Sequence, residues 1–464
     1  MNEPIADADG ALESVPSFGP MKSRLLLRVV VALSFLHFAV VLDAQPRELP
    51  RRTVLGAAVV DKDGVEITSV TVGGGAERAG LRPDDLVTAI GDDTVANSTE
   101  FVSLVKRQVT DHPVLFHIRR GDIALALPVM LDHPPNELDP AVTTSYETVT
   151  VQGTLRRTLV TVPKGPARPR AGVLILSGIG CFSVDNAASP QDAYMRVAHD
   201  LSRRGFVVMR LEKSGMGDSQ GPACMSVDFN SEMESYAVAL AALQHDSRVD
   251  AKRTYLLGHS IGSLIAPRLA NRHRVAGVIV AECVGRNWIE YELWNLRRQL
   301  ELGGETPADI DAELSSKEIC MHRLLVERQP ETEIEQAKPD CRIHNAYPAP
   351  AKYMRQVAAL NVAEPWTALS LPVLVVYGTA DFVTTEADHR RVAKIVNDAH
   401  PGTATLKLIS GMDHHLDSAG TQQQAYDLRI KQHRPLPYTT QFSTTVADWL
   451  CQHERCAKHN GPRS

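Results

Sequence analysis

Five residues, Gly258-His259-Ser260-Ile261-Gly262, join the apolar run Thr254 to Leu257, which reads as a strand, to the stretch Gly262 to Arg272, which reads as a helix. A serine in so tight a strand-to-helix turn takes strained dihedrals, and a side chain two positions to either side would strike neighbouring backbone, so the turn needs both glycines. It holds the hydroxyl exposed above the end of a sheet. It also sets the oxygen near a helix N-terminus, where backbone N–H groups and the helix dipole favour developing negative charge. A chain with this turn has to supply neighbouring strands and covering helices.

The second half of the sequence supplies them. Glu147 to Val151 and Arg157 to Val162 read as a leading hairpin, followed by apolar strands at Gly172 to Leu176, Val207 to Leu211, Thr254 to Leu257, Val275 to Val280 and Val373 to Tyr377. Helical stretches at Asp192 to Arg204, Ser231 to His245, Gly262 to Arg272 and Thr385 to Asn397 alternate with these strands. Such alternation means βαβ units and a mostly parallel sheet. Between Val284 and Leu371 it stops. That segment is long, charged and helix-prone, with Trp288, Tyr291, Trp294 and Leu296 near its start, and reads as an insertion over the sheet edge that is expected to decide substrate.

A serine nucleophile needs a base, and the base needs an orienting acid. Strand Pro372 to Tyr377 runs into Gly378-Thr-Ala-Asp381, and strand Thr405 to Ile409 runs into Ser410-Gly-Met-Asp-His414. Both place a functional group just beyond the carboxyl end of a strand, where open parallel sheets build sites. The competitors are His415 and the carboxylates Asp388, Asp413 and Asp417. Asp388 should lie inside a helix, and Asp413 is too close in sequence to swing beneath its neighbouring histidine. The oxyanion donors expected are the backbone N–H of Ile261 and one from Ser177-Gly178-Ile179-Gly180, with Ile179 preferred and Gly180 left open. The Asp413 to Asp417 cluster has no complementary metal ligands at useful spacing elsewhere.

Residues 54–131 differ in character, alternating short apolar strands with Gly-rich turns around Val70-Thr-Val-Gly-Gly-Gly-Ala-Glu-Arg-Ala-Gly-Leu-Arg-Pro-Asp-Asp-Leu-Val-Thr-Ala-Ile-Gly91. The run Ala76 to Gly91 resembles bacterial PDZ domains, of the kind found behind the protease domains of periplasmic heat-shock proteases. In that likeness Leu81 plugs a small core, Asp85 precedes the strand Leu86 to Ile90, and Phe101, Leu104 and Val105 form one face of a helix from Thr99 to Arg107. The resemblance implies a groove between that helix and the strand after Leu55-Gly56, into which an extended peptide ligand adds a strand; the plainer alternative is a structural module without ligand. Residues 132–140, with His133-Pro-Pro-Asn-Glu-Leu-Asp-Pro140, read as a stiff polar linker.

From residue 146 to 452 the landmarks together resemble a bacterial α/β-hydrolase of the serine aminopeptidase-like and esterase-like group. The resemblance implies an α/β-hydrolase domain over 141–456 with a helical cap insertion at 284–371, and catalytic roles for Ser260, Asp381 and His414. Relatives often carry His-Gly-x-Gly where this chain has Ser177 to Gly180, a change that leaves a backbone donor in place. Arg210-Leu-Glu-Lys-Ser-Gly-Met-Gly-Asp-Ser219 resembles the family's Asp-x-x-Gly-x-Gly-x-Ser loop, with Glu212 at the aspartate position, and reads as structural. The function implied is serine-dependent cleavage of a carboxylic ester through an acyl-enzyme, with no cofactor or metal. Two alternatives stand beside it: a peptidase or aminopeptidase acting on short peptides, and a peptide-binding PDZ adaptor whose hydrolase domain is silent. A serine nucleophile argues against haloalkane dehalogenation, which requires a carboxylate there.

Residues 21–44 read as a signal peptide, with Lys22, Arg24 and Arg28 ahead of the apolar run Val29 to Leu42 and small Ala44, so the protein is expected to be exported to the periplasm or beyond. The run is shorter than the roughly 20 residues of a membrane span. Residues 1–20 read as a mis-called upstream start. In an oxidising compartment the seven cysteines are expected to pair as Cys181 with Cys224, Cys320 with Cys341 and Cys451 with Cys456, leaving Cys283 a buried thiol. Cys451, His453, Cys456 and His459 are too closely spaced for the usual zinc fingers. A net charge of −6 offers no basic field for nucleic acid, and the sequence does not define an oligomeric state.

Overall fold

The Gly-rich segment closes into a small sheet in the computed structural model, which describes residues 49–454 apart from 63, 109 and 167. The expected signal segment, residues 1–20 and Cys456 lie outside the described residues. Strands β1 (Ala57–Asp61), β2 (Val65–Val70), β3 (Leu86–Ile90), β5 (Val114–Arg120) and β6 (Ile123–Val129) pair antiparallel in the order β1-β2-β3-β5-β6, and β4 (Asp93–Thr94) pairs with β3. The helix Ser98–Arg107 starts where the Asn97 side chain accepts the Glu100 N–H, one of the donors a helix start leaves unsatisfied. It buries Phe101, Leu104 and Val105, with Phe101 edge-on to Phe116 at 6.4 Å. Asp85 is buried and takes the Arg120 guanidinium at 2.7 Å, fixing the turn ahead of β3.

The larger sheet has eight strands in the order β14-β13-β12-β11-β9-β10-β8-β7. These are β7 (Val142–Val151), β8 (Thr154–Pro163), β9 (Arg170–Leu176), β10 (Val207–Leu211), β11 (Val249–His259), β12 (Gly277–Ala281), β13 (Val373–Gly378) and β14 (Ala404–Ile409). The β7-β8 hairpin is antiparallel and longer than the apolar pattern indicated, because its polar residues continue the ladder; from β10 to β14 every pairing is parallel. Alternate residues of each central strand enter opposite cores. Leu174 and Leu176 pack with Leu240, Leu264 and Ile265 on one face, while Val173 and Ile175 pack with Val197, Leu201, Phe442 and Val446 on the other. Burying each such aliphatic side chain contributes about 1.5–3 kcal/mol, and that two-sided burial is what makes the strands read as unbroken apolar runs.

The four expected helices are present at Ala193–Arg203, Phe229–His245, Gly262–Ala270 and Glu386–Ala399. The closing helix Thr440–His453 was not expected, since its apolar residues are interleaved with Thr, Ser and Asp. The insertion folds as short helices between Trp288 and Thr367 and shares a core with the sheet, Tyr353 meeting Phe229 edge-on at 5.5 Å. Disulfides join Cys181 to Cys224 and Cys320 to Cys341, and Cys283 is a buried free thiol. Among the described residues no helix is long and apolar enough to cross a membrane.

The segment after the small domain is no free linker. Asp132 bridges back to Val54, and buried Glu137 accepts from Arg210 at 2.7 Å and from His199 at 3.0 Å. Burial alone would raise the Glu137 carboxyl, but Arg210 and His199 hold it down at about 2. The polar, Pro-rich composition reads as a stiff linker and does not announce that one carboxylate finds two buried partners across the chain. On the other side, Arg51 reaches Asp185 at 2.5 Å and Asp218 at 3.0 Å, and Asp218 also takes Arg157 at 2.9 Å and the Arg52 N–H at 2.8 Å. The Arg157 side chain is only 4% exposed. Asp218→Ala leaves that guanidinium buried without its acid, and should lower the unfolding free energy in urea by about 3–5 kcal/mol.

Candidate active site

The serine turn is built by contact. Ser260 has φ +53°, a conformation that L side chains seldom adopt, and its N–H donates to the Ala281 carbonyl at 3.0 Å, fastening the turn to β12. A Cβ at Gly258 would stand 2.5 Å from the Gly262 carbonyl oxygen, and one at Gly262 would stand 2.3 Å from that of Leu176. Both glycines therefore mark places where backbone passes backbone.

Around that hydroxyl the structure brings the expected residues together. Ser260 Oγ lies 3.1 Å from His414 Nε2, and His414 Nδ1 lies 3.0 Å from Asp381 Oδ2. Asp381 Oδ1 accepts the N–H groups of Val383 at 2.6 Å and Thr384 at 3.0 Å, while the Thr384 hydroxyl donates to Oδ2. Burial works against the Asp381 carboxylate, yet His414 and these donors hold it well below the usual carboxylate range. The arrangement can take a proton from the serine and stabilise the imidazolium that results. The competing carboxylates have other partners: Asp388 is in the helix Glu386–Ala399 and pairs with Arg286, and Asp413 and Asp417, the latter on the wall of the same cavity, each bind Arg429 at 2.5 Å. His415 lines the same cavity but has no contact with the hydroxyl; burial and His414 push it down to about 4.

The N–H groups of Ile261, Ile179 and Gly180 have no acceptor among the described residues. Lys213 fixes the second of these. Its Nζ donates to the Gly178 carbonyl at 2.6 Å and the Gly180 carbonyl at 3.0 Å, on either side of Ile179, and pairs with Glu232 at 3.1 Å. Lys213 belongs to the Gly-rich loop that reads as merely structural in sequence. The disulfide Cys181–Cys224 ties the same two loops, contributing about 4 kcal/mol in the chain-entropy account.

His259, the second residue of the turn, carries a role that the motif does not announce. Tyr194 Oη accepts the Gly178 N–H at 2.8 Å and donates to His259 Nδ1 at 2.7 Å, so His259 Nε2 carries the proton and donates to the His414 carbonyl at 2.8 Å. This relay positions the oxyanion loop and the His414 backbone together. A cavity of about 480 Å³ opens over Ser260, lined by Ile179, Phe182, Tyr194, His415, Leu416 and Arg429 among others. None of the residues lining this cavity comes from the insertion at 284–371, but the insertion reaches its edge: a Cβ at Gly180 would stand 3.5 Å from Pro348 Cβ. The insertion also holds the acid loop: Arg298 donates to the Phe382 and Val383 carbonyls, both at 2.8 Å. Among the described residues no group of three or more His, Cys, Asp or Glu is placed to hold a metal ion.

A second cavity, about 860 Å³, lies along the groove of the small domain, between Leu55-Gly56-Ala57 and the helix residues Phe101, Val102 and Val105. Its far wall is the segment Asp185 to Ser189 of the larger domain.

A serine turn of this shape at the carboxyl edge of a mostly parallel sheet, behind an antiparallel module with a helix-lined groove, defines an α/β-hydrolase fold preceded by a PDZ domain. Residues 168–417, more than half of the chain, match the family described as serine aminopeptidase, S33, and the chain belongs to that family; residues 53–131 match the PDZ domain. Esterase EstD of Thermotoga maritima is 28% identical over 257 residues, covering 55% of this chain. The match spans 56% of that relative's own length. A solved Pyrococcus furiosus esterase is 12% identical with a TM-score of 0.42, covering 69% of this chain and 96% of its own. Est1E of Butyrivibrio proteoclasticus with ferulic acid bound is 15% identical with a TM-score of 0.42, covering 66% and 98%.

The His259 relay predicts a pH dependence. Burial, and after it His414, lower the His259 imidazole to about 3, whereas the unfolded chain protonates it near its ordinary value of about 6.5. Between those values unfolding takes up a proton, so stability falls as pH drops through that window, by up to about 1.4 kcal/mol per pH unit. His259→Asn should remove this part of the slope in urea unfolding curves recorded across the window.

Proposed function

We propose that the protein is an exported serine hydrolase that cleaves carboxylic esters by acyl-enzyme chemistry. The observation that carries the reading is the unbroken hydrogen-bonded line from Ser260 through His414 to Asp381, set beside backbone N–H groups that have no acceptor among the described residues. In this reading Ser260 attacks the ester carbonyl while His414 takes its proton. The tetrahedral oxyanion accepts hydrogen bonds from the Ile261 and Ile179 N–H groups, and His414 returns the proton to the leaving alcohol. Water, activated by the same histidine, releases the acid. The apolar lining by Phe182, Tyr194 and Leu416 suits an uncharged acyl or aryl group, and the likeness to an esterase over half the chain supports an ester as substrate. Export is supported by the basic and apolar residues of 21–44 and by two disulfides, bonds that persist in oxidising compartments.

The family's description favours a second substrate class, short peptides, and the PDZ groove would then present an extended peptide ligand to the hydrolase. Paired p-nitrophenyl esters and aminoacyl p-nitroanilides separate the two readings. Esters should be turned over, and Ser260→Ala should abolish both turnover and fluorophosphonate labelling while the protein stays folded. Labelling that persists in the folded variant would place the nucleophile elsewhere. His414→Ala should cost roughly a thousandfold or more in kcat and His415→Ala little. Anilide cleavage that exceeds ester cleavage, and that falls selectively when Val102→Glu blocks the groove, would replace the ester reading with the peptidase one.

A further inference from the structure

A second carboxyl group stands behind the acid of the site. Glu282 directly follows β12, one strand nearer the serine than β13, which leads to Asp381 three residues past its end; Glu282 takes φ +48° so that its side chain turns into the protein, where it is 0% exposed. Its Oε1 accepts the Gly378 N–H at 2.8 Å, and its Oε2 is buried with no donor among the described residues. The one basic neighbour, His389, has no proton to offer. His389 Nδ1 donates to the Thr385 carbonyl at 2.7 Å and its Nε2 accepts the Cys283 N–H at 2.8 Å, so the nitrogen 3.8 Å from Glu282 Oε2 presents a lone pair. What faces it is the Asp381 carboxyl: Gly378, whose N–H Glu282 holds, takes the Asp381 N–H on its carbonyl at 3.0 Å, which brings the two carboxyl groups together as a side-chain pair.

An ionised Glu282 would be a buried anion with one hydrogen bond, facing a second anion, which is costly on both counts. A proton on Glu282 removes both costs and supplies the missing donor. Asp381 is the partner that stays charged, because it already accepts from Val383, Thr384 and His414. The other titratable groups facing this pair are Tyr377 from β13, Asp388 from the following helix and Asp413 beyond β14, together with Cys283; Asp388 and Asp413 have arginine partners of their own. Burial first, and Asp381 second, push the Glu282 carboxyl far upward, which agrees with the hydrogen-bond accounting.

Building on the serine-hydrolase reading above, we propose that Glu282 is a positioning residue: a neutral carboxylic acid whose hydroxyl donates to Asp381, holds that carboxylate anionic and in register with His414, and so tunes the imidazole that serves Ser260. Nothing is oxidised or transferred; a single proton stays between two carboxyl groups, on the glutamate side.

The test uses the acid limb of the kcat/KM profile for a p-nitrophenyl ester in the full chain. Glu282→Gln keeps the charge, the acceptor for Gly378 and a donor for Asp381, so the limb should stay where it is in wild type. Glu282→Leu removes the donor; Asp381 becomes more basic, holds the imidazolium more tightly, and the limb should move to higher pH by a few tenths of a unit to about one unit. A limb that falls in Glu282→Gln would show an ionised glutamate, and a limb unmoved in both variants would show a purely structural one; either result overturns the proposal. Should the leucine variant not fold, the infrared difference between wild type and Glu282→Gln at neutral pH decides: a protonated-carboxyl band lost in the variant supports the proposal, and a carboxylate band lost overturns it. Wild-type ester turnover and fluorophosphonate labelling report separately on the serine-hydrolase reading, so the two can fail independently.

Discussion

Everything in the larger domain is arranged around one unfavourable backbone conformation. The left-handed Ser260 is tolerable because three pieces of backbone converge on it: the Gly258 and Gly262 contacts, which admit no side chain, and the bond from Ser260 N–H to Ala281. Those contacts fix the spacing of β9, β11 and β12, and the order of the strands then delivers Asp381 and His414 to the same edge. The buried apolar sheet supplies the stability against which the strain of the turn is held, and the site inherits its geometry from the packing of the core.

This explains why so much of the arrangement was legible in the sequence. The strands are buried on both faces and therefore uninterrupted in their apolar character, and the expected site residues follow strand ends, so Ser260, Asp381 and His414 could be placed by counting from Leu257, Tyr377 and Ile409. Residues that act across the chain left no such mark. Lys213 sits in a loop whose glycines advertise only a turn, Tyr194 is the second residue of an ordinary helix, and His259 occupies the variable position of the motif; their roles come from partners 16 to 155 residues away. An overlooked signal was Glu282, a carboxylate directly after Val278-Ile-Val-Ala281, beyond the carboxyl end of its strand as Asp381, three residues on, is beyond its own.

The insertion at 284–371 shows the limit of reading function from position. Long helical segments after this part of a sheet invite the idea of a lid, yet the cavity over Ser260 is walled by 178–194 and by residues near 414–429. The insertion meets the site's loops at Arg298, on the acid loop, and at Pro348, beside Gly180. Its sequence, charged and irregular, carries no periodic pattern that would distinguish a segment covering substrate from one bracing a loop.

The stretch between Gly178 and Tyr194 serves two cavities at once. One side of it, at Ile179, Phe182 and Tyr194, faces the serine, and a few residues further on Asp185 to Ser189 close the groove of the PDZ domain, with Asp185 clamped by Arg51. It is a party wall. A substitution that reshapes one room alters the other, so this short segment answers to two sets of steric demands, and the two domains can diverge only as fast as the wall they share allows.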